Sequence, residues 1–203
     1  MIVTAITGAS GPIMGVRLVE ELLGAEEQVA VVVSSAAREI IEYEVLEKQT
    51  SYTGMADLLA RRNPGMDLCG LTEYADNDFF VPLASGSTGF EAVVVIPCSM
   101  KTLSSIVHGY ADNLVGRSCD VALKEDRKCV IVPRETPMNK IQIENLYHAS
   151  RAGLHILPPV PGFYTRPQSV EDVVDFIVGK TLSLLGKSHN LFAPWNPENV
   201  EEL

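Results

Sequence analysis

Short runs of β-branched and other apolar residues alternate with helix-length segments along most of the chain. Five such runs predict strands, at residues 2–6, 28–33, 92–96, 129–133 and 154–157. The second run, residues 28–33, is too continuously apolar for a surface strand, which is typical of a strand that helices cover on both faces of a parallel sheet. The repeated order of strand, helix and strand therefore predicts an α/β fold.

The segments between these strands carry helix signals at their ends. Pro12 is tolerated at a helix start and Gly24 suits a helix end. Ser34 or Ser35 can cap the second helix, and Ser169, which precedes a first turn with two acidic residues, can cap the last one. Helices are thus predicted from Pro12 to Gly24, from Ser34 or Ser35 to about residue 48, over 101–108, 114–124 and about 140–152, and from Ser169 onward.

Residues 49–80 are less regular, and we interpret them as an excursion over the surface rather than a second domain. Residues 61–65 predict a helix end and a loop, while the prolines of residues 158–162 exclude a helix or a central strand there. The prediction is a single domain over residues 1–203, with a three-layer α/β/α Rossmann-like fold and a mainly parallel sheet of about six strands. A tail over about residues 187–203 is expected to pack on a neighbouring copy or to be partly mobile.

The charge and the length of the apolar runs argue against two classes of partner. The 203-residue chain has 16 lysines and arginines against 26 aspartates and glutamates, a net charge of −10. Such an acidic protein is repelled by a phosphate backbone, so we expect no nucleic acid partner. The apolar runs are about five residues long, far short of the roughly 20 that cross a bilayer, and no secretory signal is evident. We therefore expect a cytoplasmic protein that does not enter a membrane.

The cysteines and histidines predict neither disulfides nor a metal site. Cys69, Cys98, Cys119 and Cys129 stand far apart and form no Cys-x-x-Cys pair, and the four histidines form no cluster with them. Reduced thiols in a cytosolic protein are the expected state.

Ligands of a parallel sheet bind where strands end and the following helices begin. Five segments meet this condition, at residues 7–12, 34–35, 97–102, 133–139 and 158–166. The first contains Gly8-Ala-Ser-Gly11, whose glycines would let backbone N–H groups approach an anion at the start of a helix. A tight turn without a ligand is the alternative.

The spacing of these residues argues against two common sites. It is not Gly-x-Gly-x-x-Gly, and the second strand ends in Ser34 rather than in an acidic residue that would hold a ribose diol. Pro12 stands where a Gly-x-Ser-x-Gly hydrolase motif needs its last glycine. The pattern favours a phosphate-bearing cofactor without an adenosine ribose.

Hydroxyl and cationic side chains also follow the strand at residues 92–96. Ser99, Lys101 and Thr102 would form a second anion cradle, unless Ser99 is only a helix cap or forms a nucleophile pair with Lys101. Four cations on other elements are further candidates, with a solvated surface charge as the alternative for each. They are Arg117, Lys124, Arg134 (followed directly by Glu135) and Lys180.

Several of these segments belong to a set of motifs that occur in one order along the chain. They are Gly8-Ala-Ser-Gly, Ser85-Gly-Ser, Pro97-Cys-Ser-Met-Lys-Thr, Asp120-Val-Ala-Leu-Lys124, Pro133-Arg-Glu-Thr-Pro137 and Pro158-Pro-Val-Pro-Gly-Phe-Tyr-Thr-Arg-Pro-Gln168. In these motifs, from about residue 2 to Trp195, the chain resembles the UbiX-type flavin prenyltransferases.

The resemblance implies a transferase that binds FMN and uses it in reduced form as the prenyl acceptor. A dimethylallyl group from dimethylallyl monophosphate would become bonded to flavin N5 and C6, without a metal. The prenylated FMN would then serve a partner decarboxylase of the UbiD type. The resemblance also implies a homo-oligomer, by analogy a dodecamer.

The resemblance assigns roles to individual residues. Ser10 would help to hold and deprotonate the flavin near N5, and Glu135 would donate or shuttle a proton to the departing phosphate. Glu44 matches an active-site glutamate that a neighbouring subunit usually contributes, and Lys124 is the fourth catalytic candidate. The implied FMN contacts are Gly8, Ala9, Ser10, Ser34, Ser99, Met100, Lys101, Thr102 and Arg134. The implied phosphate contacts are Arg117, Lys124, Arg134, Glu135, Tyr164 and Lys180.

Two other functions stay open at this point. The segment Thr136-Pro-Met-Asn139 is similar to a motif of flavin-dependent cysteinyl decarboxylases, but those enzymes use a histidine near the second helix, and this chain has no histidine before His108. A non-catalytic FMN carrier is the other alternative, which cations scattered over the surface would favour. Trp195 could shield an allyl cation from water, with a core or interface anchor as its alternative role.

Overall fold

A computed structural model describes residues 1–195 and gives them a parallel six-stranded sheet in the order β3-β2-β1-β4-β5-β6. The fold class is confirmed. The strands are β1 (Ile2–Ile6), β2 (Val29–Val33), β3 (Leu71–Ala75), β4 (Ala92–Cys98), β5 (Lys128–Pro133) and β6 (His155–Ile156).

Seven α-helices within residues 1–195 cover both faces of this sheet. They are α1 (Ile13–Gly24), α2 (Ser35–Glu44), α3 (Met55–Arg62), α4 (Met100–Val107), α5 (Leu114–Lys124), α6 (Lys140–Arg151) and α7 (Val170–Leu185). On β1, Ile2 and Ile6 pack with α1, α3 and α7, whereas Val3 and Ala5 pack with α4 and α5. Because both faces are buried, the central strands are apolar at nearly every position, with the buried Thr4 of β1 as a polar exception.

Two element ends differ from the sequence prediction. Helix α2 ends at Glu44 instead of near residue 48, because Glu47 and Lys48 take left-handed backbone angles, with φ of 48° and 58°. Strand β4 passes through Pro97 to Cys98, although we expected it to end at the proline. The pairing of β4 with β5 shifts between Val95 and Cys98, so the proline falls where the regular ladder is interrupted.

The irregular segment 49–80 contains α3 and β3, and a single carboxylate ties the two together. Glu73 on β3 accepts hydrogen bonds from the Met55 N–H at 2.6 Å and from the Tyr52 hydroxyl at 2.9 Å. Burial, assisted by the nearby Glu73 charge, raises the pKa of the Tyr52 hydroxyl. β3 is the edge strand and has polar residues, so no apolar run along the chain indicates it.

The part of the predicted tail that the structure describes, residues 187–195, contacts its own chain. The Lys187 ammonium lies 2.7 Å from a Glu27 carboxylate oxygen and 3.2 Å from one of Glu91. The rings of His189 and Phe192 pack on α7. Residues 196–203 lie outside the described part of the chain.

All four cysteines are free, and three of them are buried. Burial raises the pKa of the Cys98 thiol, which keeps it protonated at the end of β4. In the described part of the chain, no helix is both long and apolar enough to cross a membrane.

Close packing of α1 on the sheet requires a glycine, and this generates a stability prediction. A Cβ on Gly15 would lie 2.7 Å from Ile6 Cγ1 and would also meet the Ile96 carbonyl oxygen. Gly15→Ala should therefore lower the free energy of unfolding by about 1–3 kcal/mol in urea titrations. Gly24→Ala, at the open end of the same helix, is the matched control and should leave it unchanged or raise it by up to about 1 kcal/mol. Equal effects at both positions would contradict the packing.

Candidate functional site

The candidate site lies at the carboxyl edge of the sheet, where the strand order reverses between β1 and β4. The chain leaves β1 through α1 on one face and leaves β4 through α4 on the other, so the two loops diverge above the sheet. Open α/β sheets bind ligands at such a switch point. Because β2 lies beside β1, the first turns of α1, α2 and α4 all face this edge.

Thr7 links the two diverging loops. Its hydroxyl donates to the Pro97 carbonyl at 2.8 Å and accepts from the Ser99 N–H at 2.8 Å. Its own N–H donates to the same Pro97 carbonyl at 3.2 Å. This buried residue therefore sets the position of the α4 start relative to the glycine-rich turn.

Serines cap two of the converging helices, as the sequence predicts. Ser34 Oγ accepts from the Ala37 N–H, and Ser99 Oγ accepts from the Thr102 N–H, each at 3.2 Å. The first N–H groups of a helix have no partner within the helix, and with the helix dipole they favour an anion. Lys101 in the first turn of α4 is exposed and adds positive charge at this edge.

The loop after β5 joins the same edge through Arg134. Its side-chain Nε donates to the Ser10 carbonyl at 3.3 Å, and its backbone N–H donates to the Cys98 carbonyl at 3.1 Å. Glu135 follows it, half-buried, with Oε2 3.5 Å from Gln142 Nε2 at the start of α6. The edge thus has a cation and an acid on adjacent residues.

Glu44 also reaches this edge within one chain. Its carboxylate accepts a hydrogen bond from the Gly11 N–H at 2.8 Å. Gly11 has a φ of 93°, in the left-handed region that favours glycine. We call this whole assembly the edge group. Its members are Gly8, Ala9, Ser10, Ser34, Glu44, Ser99, Met100, Lys101, Thr102, Arg134 and Glu135.

Two other candidates, Arg117 and Lys124, lie on α5 beside the loop of residues 84–88. We call these two residues the loop group. Arg117 Nε donates to the Ala84 carbonyl at 2.9 Å and Nη1 to Asp120 at 2.6 Å. Lys124 ends α5, before β5 begins, whereas Glu135 follows β5. The length of that strand, about 16 Å at about 3.3 Å per residue, separates the two.

Tyr164 and Lys180 form a third set, which we call the groove group. They lie on the face of the sheet opposite to the one that carries the loop group. They line an open groove of about 710 Å³ between α7 and residues 189–195. Helix α7 packs on the same face of the sheet as α1, whereas α5 packs on the other face of the sheet. One chain therefore does not bring the loop group and the groove group together.

Sequence reasoning singled out neither Thr7, which lies within the selected segment 7–12, nor Asp76. Asp76 directly follows β3. Its carboxylate accepts a hydrogen bond from the Ser35 N–H at 3.2 Å, and its backbone carbonyl accepts one from the Leu114 N–H at 2.7 Å. It thereby fixes the starts of α2 and α5. Thr7 stands directly after a predicted strand, so the rule that selected Ser99 could have selected it. Asp76 had no such signal because β3 was not recognised.

The edge group fits a phosphate-bearing ligand such as FMN. A Cβ on Gly8 would lie 2.8 Å from Ala36 Cβ, so glycine is what lets the turn approach the start of α2. This approach places helix N-termini from neighbouring strands around one space, as an anion requires. Among residues 1–195, no cluster of three or more His, Cys, Asp or Glu side chains is arranged for a metal.

Comparisons with known proteins agree with this geometry. The family model described as Flavoprotein matches residues 1–182. The flavin prenyltransferase UbiX of Methanocaldococcus jannaschii is 45% identical over 195 residues, covering 96% of this chain and 97% of that protein. The crystal structure of AnUbiX (PadA1) in complex with FMN and dimethylallyl pyrophosphate is similar with a TM-score of 0.84 and 37% identity, covering 96% of each chain. A dodecameric FMN-dependent UbiX-like decarboxylase from Escherichia coli O157:H7 has the same TM-score and identity, covering 96% of this chain and 98% of its own.

The Thr7 cross-link predicts a stability difference between two threonines of one segment. Thr7→Val leaves the Pro97 carbonyl and the Ser99 N–H without their side-chain partner, and should lower the free energy of unfolding by about 1–3 kcal/mol. Thr4 on β1 is fully buried, and its hydroxyl has no hydrogen-bond partner among the described residues. Thr4→Val should therefore be neutral or stabilising. Urea unfolding of both variants checks this, and a Thr7→Val chain as stable as Thr4→Val would exclude the cross-link.

Proposed function

This chain belongs to the flavoprotein family, and we propose that it is a flavin prenyltransferase that transfers a dimethylallyl group from dimethylallyl monophosphate to reduced FMN. The observation that carries this function is the edge group, in which a helix-start anion cradle stands beside adjacent cationic and acidic side chains. The similarity to flavin prenyltransferases over nearly the whole chain supports it.

The edge group would hold FMN. The starts of α1, α2 and α4, with Ser34, Ser99 and Thr102, would bind its phosphate, and Ser10 would lie near flavin N5. Reduced FMN, when bound, supplies the N5 and C6 atoms that become alkylated. Arg134, held by the Ser10 carbonyl, would place its guanidinium between the flavin and the phosphate of the donor.

The second task of the site is to release phosphate from an allylic carbon without a metal. Negative charge grows on the departing phosphate, so cations and a proton donor must stabilise it. Glu135 would supply the proton, and Arg134, Arg117, Lys124 and Lys180 the positive charge. Tyr164 would bind the same phosphate by its hydroxyl.

Because the loop group and the groove group lie on opposite faces of one chain, a complete site would need a neighbouring copy to supply at least one of them. Large apolar side chains exposed on the surface support such an assembly, with Phe80 fully exposed and Phe163 78% exposed. We propose a homo-oligomer, by analogy with the dodecameric relative. The separation of the cations is also what a carrier would show, so the test below must separate the two.

We also propose a recipient for the product and a place of action. As the resemblance to the family implies, a UbiD-type decarboxylase would take up the prenylated FMN as its cofactor. The buried free thiols of Cys98, Cys119 and Cys129 are typical of a reducing compartment, which supports the cytoplasm.

The first test is the reaction itself. Reduced FMN, dimethylallyl monophosphate and the protein, mixed without oxygen, should give a flavin heavier by one prenyl unit together with free phosphate, both measured by mass spectrometry and phosphate assay. An unchanged flavin mass with FMN still bound would contradict the transferase and favour the non-catalytic FMN carrier. Carbon dioxide release from a cysteinyl peptide, without prenylation, would establish the decarboxylase instead.

The second test asks whether one site draws on several copies. Glu135→Gln and Lys124→Ala should each be inactive alone. Refolded together, they should regain activity, because random assembly completes about a quarter of the sites when Glu135 and Lys124 come from different copies. The prenylation rate of the mixture measures this.

A matched mixture provides the control. Glu135→Gln and Ser10→Ala both alter the edge group, which one chain assembles alone, so no mixed site is intact and activity should not return. Recovery in neither mixture, with oligomer size unchanged, would show that Lys124 acts within its own chain or not at all.

A further inference from the structure

Helix α7 has a glycine where two aromatic rings from the C-terminal segment rest. A Cβ at Gly179 would lie 2.6 Å from Phe192 Cε1 and 2.8 Å from His189 Cε1. Gly179 itself is buried and is an interior residue of the helix, where glycine is otherwise unfavourable. The missing side chain is therefore what lets residues 189–192 lie directly on the helix. We call this position the Gly179 notch.

Around the notch, four rings form a continuous row. Tyr164 meets Phe176 edge-to-face with centroids 6.0 Å apart, Phe176 meets Phe192 at 4.9 Å, and Phe192 meets His189 at 5.0 Å. Such pairs add stability beyond the area they bury. The row connects Tyr164, a groove-group residue, to the segment that contains Trp195.

His189 fixes the far end of this row through both ring nitrogens. Nε2 lies 3.0 Å from Ser183 Oγ on α7, one turn after Gly179. Nδ1 accepts from the Leu191 N–H at 3.4 Å. The imidazole thus joins the helix to the backbone of the C-terminal segment, which a ring without nitrogens could not do.

The segment held in this way forms one wall of the groove. Ala193, Pro194 and Trp195 line it, and Lys180 and Tyr164 line it as well. A ligand with a short apolar chain and a phosphate group suits such a combination of apolar wall and ammonium. The position of the wall relative to Lys180 depends on the contacts at the notch.

We infer that Gly179 and His189 are positioning residues for the prenyl donor: the notch and the Ser183 contact hold residues 192–195 at the distance from Lys180 that a dimethylallyl phosphate needs. This inference rests on the proposed function for the identity of the donor. It assigns the C-terminal segment to substrate binding, with its wall set by α7 of the same chain.

Gly179→Ala tests the inference, because a methyl group there must displace both rings. The KM for dimethylallyl monophosphate should rise by about tenfold or more, since a small misplacement of a binding group is costly. The Kd for FMN should stay at the wild-type value, because FMN is bound at the edge group. Gly24→Ala, a helical glycine whose Cβ would meet nothing within 4 Å, is the matched control and should leave both constants unchanged.

A second readout does not need turnover. Trp195 is the one tryptophan of the chain, so intrinsic tryptophan fluorescence reports on the groove wall alone. Titration of the FMN-loaded, oxidised protein with dimethylallyl monophosphate should change Trp195 emission in the wild type and in Gly24→Ala, but not over the same concentration range in Gly179→Ala. If Gly179→Ala does not fold, Ser183→Ala removes the partner of His189 at an exposed position and should raise the KM in the same direction.

The outcomes separate this inference from the proposed function. The inference would be overturned if Gly179→Ala kept the wild-type KM and the wild-type Trp195 response. If Gly179→Ala does not fold, the same result in Ser183→Ala would overturn it. Neither result would contradict prenylation itself. A wild type that binds dimethylallyl monophosphate with a notch-dependent Trp195 response, yet forms no prenylated flavin, would overturn the proposed function and keep the inference. A Trp195 emission that the donor never changes would overturn the inference alone if the wild type still prenylates FMN.

Discussion

The site depends on the reversal of strand order between β1 and β4, together with the Thr7 side chain that bridges it. Loops that leave a sheet towards opposite faces have no backbone ladder between them, so something else must hold them at a fixed distance. Thr7 does this with two hydrogen bonds of 2.8 Å in a buried position. The glycine-rich turn, the α4 start and Arg134 with its contact to Ser10 all take their places relative to this link.

The distribution of positive charge explains why such a protein would work as an assembly. In a chain with a net charge of −10, the cations expected at the reacting phosphate are few, and they lie on both faces of the sheet. Arg117 is held by Asp120, and Lys124 lies 3.8 Å from a Glu125 oxygen, so neither is directed at the edge group of its own chain. Under the proposed function, arranging these groups around one phosphate would be a task for quaternary structure.

Elements with strong local signals were predictable, and elements defined by distant partners were not. The apolar runs of β1, β2, β4 and β5 and the caps at Ser34, Ser99 and Ser169 depend on residues within a few positions, and the structure confirms them. β3 has no apolar run, and its place is set by pairing with β2 and by Glu73 contacts with residues 18 and 21 positions away. The passage of β4 through Pro97 likewise depends on its register with β5.

The sequence by itself determined the α/β class, the loops that could bind an anion and, through its motifs, the flavin chemistry. It did so because helix caps, turn glycines and apolar runs act over a few residues, and the motifs keep their order along the chain. Only the tertiary structure decided which loops meet, that Glu44 reaches Gly11, and that a missing side chain at Gly179 admits His189 and Phe192. These contacts join residues that are far apart in the chain, so they follow from sheet register and helix packing, which no local pattern encodes.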